Sequence, residues 1–379
     1  MTDDSAPAGA PGATYLDWDV ASSTARRLTR PGPHATRAEI AGAVDDLRRF
    51  ADESTPLVRD CTGLVAERAS APVLVVDRPG WVQANIDAFR QVIEPLVTRL
   101  LERRDQQLPA LASRIGGGVT GAELGAVLAF LSGKVLGQFD PYHRADGEVG
   151  RLLLVAPNVV AVERELRVDP HDFRLWVCLH EETHRVQFTA VEWLEPYLRS
   201  KIDELLGGED MDPSAVLGRL RQGVEESLRA LRGTKGERPE PPSLVELIRT
   251  PEQKKTLDEI TATMTLLEGH ADVVMDLAAP AVIPSLDEIR AKFDTRRAAG
   301  RSPIDQVLRR LLGLDAKMRQ YREGAAFVRA VVDAIGLDGF NAVWAAPANL
   351  PTRDEIGDPD GWMRRVAGEA PPAEAGTGS

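Results

Sequence analysis

His180-Glu181-Glu182-Thr183-His184 is the segment whose residue types and spacing could do chemistry. In a helix, residues four apart share a face about one turn from each other, so His180 and His184 can aim two imidazoles at one ion. Zinc accepts histidine nitrogen readily. Its catalytic sites use three protein ligands and leave one position for water. Glu181 projects beside the first histidine, where it can take a proton from that water and return it to a leaving group. The HExxH pattern therefore points to metal-assisted hydrolysis. The plainer alternative is a pair of core histidines. Phe173, Val177, His180, His184 and Phe188 follow helical spacing, so both imidazoles fall on an otherwise apolar face. Buried there, each needs a partner, and one ion would satisfy both.

Two histidines do not complete a site. The expected third ligand is Glu268, on the stripe Met264, Glu268, Ala271, Met275. A carboxylate on an apolar stripe is costly to bury unless it is paired or metal-bound. The alternative is an ion pair with an arginine. His270 is a rival ligand, but it faces another side of the same helix, and Glu268 is preferred. Asp272, one turn beyond Glu268, could accept the free N–H of a ligand histidine and set its orientation. Cys178 lies off the ligand face and reads as a buried structural thiol. Gly116-Gly117-Gly118 lacks the lysine and hydroxyl ending of a phosphate loop and reads as a turn. The acidic stretch Glu209 to Asp212 reads as a solvated loop.

These groups need elements to position them. Asp169-Pro170 has the form of an N-cap and first helical residue ahead of the motif helix, and Thr250-Pro251 does the same ahead of Glu268. Thr36 to Ala51 carries amphipathic spacing, and Trp81 to Arg104 reads as a long helix. Ile115 to Gly118 is expected to break the chain, with Thr120 and Glu123 capping the next helix. Val73 to Val76 is a short apolar run before a turn signal. Leu152 to Val155 and Asn158 to Val168 are the expected strands. Leu152 to Val155 and Asn158 to Val162 are candidates for the rim of a substrate cleft. A helix near Ser214 to Leu231 and a mostly helical stretch from Leu286 to Gly336 complete the expectation.

The composition narrows the function. The chain has 379 residues, 43 % hydrophobic, with a net charge of −12. That charge argues against a broad nucleic-acid or anionic-membrane surface. No apolar run is long enough to span a membrane. Two cysteines, Cys61 and Cys178, cannot build a disulfide framework, and no signal peptide is visible, so a reduced, cytoplasmic setting is expected. Residues 1–14 and 367–379, rich in Ala, Pro and Gly, are expected to be disordered. Residues 15–366 are expected to form one catalytic domain with a cleft between an N-terminal and a C-terminal lobe.

At its motif residues the chain resembles the gluzincins, the metallopeptidase group that includes thermolysin, which pair an HExxH helix with a later Glu-x-x-x-Asp helix. That resemblance implies His180, His184 and Glu268 as ligands of one zinc ion, Glu181 as general base and acid, and Asp272 as partner of a ligand histidine. Leu267 departs from the group, which has Asn at that position. No late histidine is available for the oxyanion; Tyr321 is a candidate, although a packed helix tyrosine is the plainer reading.

The chain also resembles a zincin-like family of mostly actinobacterial proteins associated with deazaflavin-coenzyme biosynthesis or classed as hydrolases. The similar segments are Asp17 to Asp19, Val76 to Trp81, Val135 to Pro141, His180 to Phe188, Leu266 to Asp276 and Gln320 to Gly324. The coenzyme association is given little weight, because the residues show no deazaflavin chemistry. The expectation is a mainly α chain with a small β-sheet (α+β), a zincin-like metallopeptidase fold, hydrolysing a peptide or related amide. The rivals are a zinc protein without turnover and an amidase acting on a small metabolite.

Overall fold

The computed structural model describes residues 16–65, 71–104, 110–145, 148–206, 250–299, 314–366 and 368. Apart from Gly368, the expected disordered ends, the helix near Ser214 to Leu231 and the acidic stretch at 209–212 lie outside the described residues.

Local signals start most helices. Asp17 caps α1 (Trp18–Leu28) by accepting from Val20 N at 2.9 Å. Thr36 and Glu39 form a capping box for α2 (Arg37–Thr62), which runs past the expected end and through Pro56 to Gly63. Strand β1 (Val73–Val76) follows. Asp77 then opens α3 (Arg78–Arg104) by accepting from Gly80 N at 2.7 Å, which places the expected turn residues in the helix's first turn.

The expected break at Ile115 to Gly118 is absent: α4 (Ala110–Leu131) runs through it. Each glycine in a helix interior costs about 1 kcal/mol relative to alanine. The packing of Leu128 and Ala129 of α4 with Trp18, Ala21 and Ala25 of α1 outweighs that local preference.

A three-stranded sheet stands at the centre, in the order β1-β3-β2. Strand β3 (Glu148–Val155) runs parallel to β1, with Val73 opposite Leu152. Strand β2 (Gly137–Ala145) runs antiparallel to β3, with Gly137 opposite Leu154, and its register shifts between Asp140 and Arg144. Leu152 to Val155 are fully buried. Alternation along the strand sends Leu153 and Val155 towards Trp18, Trp81 and Leu128, and Leu154 towards the α2 and motif-helix layer.

The second expected strand is a helix, α5 (Ala156–Leu166). Pro157 sits in its first turn, and Val159 and Val162 are buried at helical spacing. The β-branched residues that suggested a strand pack as a helix face; tertiary context overrides propensity.

Asp169 caps α6 (Pro170–Ala190), accepting from Asp172 N at 3.1 Å. Helix α7 (Leu194–Leu206) follows. Thr250 and Gln253 form the capping box of α8 (Pro251–Ala278). Then come α9 (Leu286–Ala299), α10 (Leu314–Phe340, kinked at Gly336) and the short α11 (Arg353–Ile356) and α12 (Pro359–Val366). Helices α8 and α10 touch backbone to backbone. A Cβ on Gly269 would lie 2.2 Å from the Gly324 carbonyl carbon, and one on Gly324 would lie 2.2 Å from Thr265 O. The architecture is mainly helical with a small sheet, the α+β class expected. Among the described residues, no helix is long and apolar enough to cross a membrane.

Candidate metal centre

Helix α6 brings His180 and His184 to one face, with ring centroids 4.9 Å apart. Helix α8 crosses beside it and presents Glu268. His180 Nε2 lies 3.8 Å and His184 Nε2 3.6 Å from the same oxygen, Glu268 Oε2. The donor atoms of all three fall within 4.8 Å of one another. These separations are long for hydrogen bonds. They suit donors arranged around a small ion: zinc bonds of ~2.0–2.1 Å in a tetrahedron put ligand atoms roughly 3.4 Å apart. Two neutral nitrogens and one carboxylate oxygen are a donor set zinc accepts, so the residues fit the group.

His184 Nδ1 lies 3.0 Å from Gln187 Oε1. Gln187 Nε2 lies 2.9 Å from Leu267 O and 2.9 Å from His270 Nδ1. A backbone carbonyl only accepts, so the amide nitrogen must face Leu267 and the amide oxygen must face His184. His184 Nδ1 therefore donates to Gln187, and Nε2 is the ring nitrogen that faces Glu268. His270 is fully buried, stacked on Phe340, and occupied with Gln187. Burial, with a smaller push from His184, lowers its pKa to about 3. The rival ligand thus serves the support of the site. Gln187 escaped the sequence reading; its signal was a polar residue three positions past a ligand histidine, on the same helix face.

Glu181 lines the same cavity as His180 and Glu268. A Cβ on Gly137, the first residue of β2, would lie 2.5 Å from Glu181 Cγ. Only a glycine leaves the Glu181 side chain its place. Burial, reinforced by Glu268 and opposed by His184, raises the Glu181 pKa to about 7. Glu182 faces away from the cavity chemistry. It is fully buried and bound twice by Arg185, at 2.7 and 2.6 Å. Cys178 is buried and donates to Leu47 O at 3.6 Å, and burial pushes its thiol pKa up.

The cavity holds about 510 Å³ between α6, α8, α9, α10 and residues 134–137. Asp272 lines it. The His184 N–H goes to Gln187, so Asp272 does not take it. The expected cleft rim is corrected: Leu152 to Val155 form the central strand, Asn158 to Val162 are helical, and Val135 to Gly137, leading into the outer strand β2, line the cavity. Tyr321 falls on α10, but its side chain lies outside the described residues. A larger groove of about 1010 Å³ beside residues 29–46 contains none of the motif groups. A second acid–histidine cluster, Asp169, His171 and Asp172, is spent on the α6 cap and on Ser285, whose N and Oγ both donate to Asp172 Oδ2.

A sequence profile described as "Zincin-like metallopeptidase" matches residues 16–363. The chain belongs to this family. Zinc is the cofactor its membership implies, and a hydrolase is the enzyme class it supports. Among solved structures, the zincin-like chain is similar to a crystal structure from Chloroflexus aurantiacus, described as a candidate hydrolase with a novel fold. The two are 31 % identical, with a TM-score of 0.66, over 94 % of this chain and 100 % of the other. Comparison with curated proteins finds no match.

Proposed function

We propose that this protein is a zinc-dependent peptidase, cleaving a peptide or closely related amide bond. His180, His184 and Glu268 hold one zinc ion, Glu181 carries the proton, and Asp272 orients His180. The observation that carries this reading is the convergence of two Nε2 atoms on Glu268 Oε2, at 3.8 and 3.6 Å, beside the cavity that Glu181 lines.

Bound there, zinc would polarise the scissile carbonyl and acidify a water. The rest of the work falls to the chain. The His184–Gln187 bond keeps the Nε2 lone pair free for the ion. Glu181, buried beside the three ligands, can accept a proton at its carboxylate and return it to the leaving nitrogen. Trp176, Val177, Met275 and Phe293 give the cavity part of its wall as apolar surface. The three ligand side chains keep 14 to 23 % exposure, which supports an open catalytic site over a closed structural one. The reading places one catalytic domain over residues 15–366 and the protein in the cytoplasm.

Zinc per chain in the wild type, His184→Ala and Glu268→Ala tests the ligands; full retention in both variants would sink the site. Peptide-library cleavage by wild type, absent in Glu181→Gln, tests the chemistry. Zinc-loaded wild type that cleaves nothing would move the reading to a zinc protein without peptidase turnover.

A further inference from the structure

The cavity changes character away from the metal residues. Arg290 of α9 and Arg329 of α10 line it, and their side chains keep 33 and 48 % exposure. Both guanidiniums pair with one carboxylate, Asp276, which lies two helical turns beyond Glu268 on α8. Arg329 Nε is 3.0 Å from Asp276 Oδ2, and Arg290 Nη1 takes Asp276 Oδ1. Asp276 itself is not part of the cavity wall. The wall therefore presents the cations, with their shared acid behind them.

Two guanidiniums share one carboxylate, Asp276, and two further acids, Asp272 and Asp294, line the same cavity. Each guanidinium carries five N–H donors, and Asp276 engages Nη1 of Arg290 with Nε and Nη2 of Arg329. Each guanidinium keeps further N–H donors, and one edge of a guanidinium is the planar fork that matches a carboxylate. Trp176 and Phe293, edge to face at 5.0 Å, flank the same space with apolar surface. That surface lowers the local dielectric and strengthens a charge pair. Asp294, exposed one turn along α9 from Arg290, lines the same cavity, so recognition there falls to the unused guanidinium donors and not to net charge.

We propose that Arg290 and Arg329 bind a carboxylate of the substrate, so that the zinc site acts on amides carrying a carboxylate close to the scissile bond. This rests on the hydrolase reading above. Eight residues of helix separate Glu268 from Asp276, a rise of roughly 12 Å. The arginines reach back along it, so the carboxylate belongs within roughly three extended residues of the bond cleaved. It can be a peptide C-terminus or an acidic side chain.

The test separates the two readings. Zinc-loaded protein is titrated with monohydroxamates of dicarboxylic acids of increasing chain length, each beside a methyl-terminated counterpart. The hydroxamate reports the metal and the carboxylate reports the arginines. The expected result is a preference of about tenfold or more for the carboxylate at one chain length. It weakens with added salt, and Arg329→Gln and Arg290→Gln lose it. Equal binding of each pair by wild type overturns the proposal while leaving the zinc site standing. No binding of either member sinks the zinc reading and the proposal with it. Lys134 is a third cation on the same wall, so a preference kept in both arginine variants overturns the assignment, and the two variants test it independently of each other. Hydroxamate-capped dipeptides with a free or amidated C-terminus, with and without an aspartate side chain, distinguish the two sources of the carboxylate.

Discussion

His184 donates from Nδ1 to Gln187 Oε1 at 3.0 Å, and Gln187 cannot turn its amide over, because its nitrogen is committed to Leu267 O at 2.9 Å. One glutamine thereby sets the proton position on the His184 imidazole and ties α6 to α8. Gln187→Leu should weaken zinc binding about 10- to 100-fold. Competition with a chromophoric chelator measures it. Nitrogen-15 shifts of His184 in the zinc-loaded wild type should show Nε2 as the metal-bound atom. A variant with a lowered melting temperature and unchanged zinc affinity would reduce Gln187 to a structural tie.

Gly137 leaves room for Glu181 and for nothing else, since a Cβ there would lie 2.6 Å from its carboxyl carbon. Gly137→Ala should shift the proton-carrying group without touching the ligands. A misplacement of about 1 Å can cost on the order of 10²-fold in rate. The expected outcome is a large fall in kcat with full zinc content. Unchanged turnover would show that the carboxylate has slack to move.

In metal-free protein, burial alone would lower the His184 pKa, but the Glu268 carboxylate outweighs it and raises it to about 9. A raised folded-state value means that the charged imidazole's contribution to stability is complete below the unfolded value near ~6.5. It is lost as pH rises through about 9. Zinc needs the neutral ring. Below about pH 9, binding must therefore expel a proton, and zinc affinity should climb with pH across that window. Calorimetric zinc titrations in buffers of different ionisation heat count the proton. Identical heats at neutral pH would contradict the coupling.

Glu182 is fully buried, and Arg185 binds both its oxygens as well as Ala71 O and Thr55 Oγ1. Arg185→Met would leave that carboxylate buried and uncompensated, a loss of about 3–5 kcal/mol. Chemical denaturation should show it directly. A change under about 1 kcal/mol would mean that water reaches Glu182 in the variant.

The parts legible in the sequence are those set by short-range rules. Asp169-Pro170 and Thr250-Pro251 mark helix starts because caps act within one turn. The HExxH spacing and the lone acid on the α8 stripe locate three groups that the fold gathers. Other parts depend on residues distant in the chain. Strand β2 carries Gln138, Asp140, Pro141 and Arg144 and has no hydrophobic alternation to announce it; pairing with β3 makes it a strand. Asn158 to Val162 carry strand-forming residues, yet Pro157 in the first turn and side-chain bonds from Asn158 to Ser132 O and Val135 O turn them into a helix. Gln187 and Gly137 look ordinary until α8 and β2 are placed beside them.

The contact of Gly269 with Gly324 carries a further consequence. Where two main chains meet with no side chain between them, nothing can swivel aside to absorb added bulk. The stand-off between α8 and α10 is thus dictated by peptide groups, one residue along from Glu268. A single extra methyl there would push the acid away while both imidazoles, on another helix, stayed in place. The centre would lose its third arm through a residue that never touches the ion.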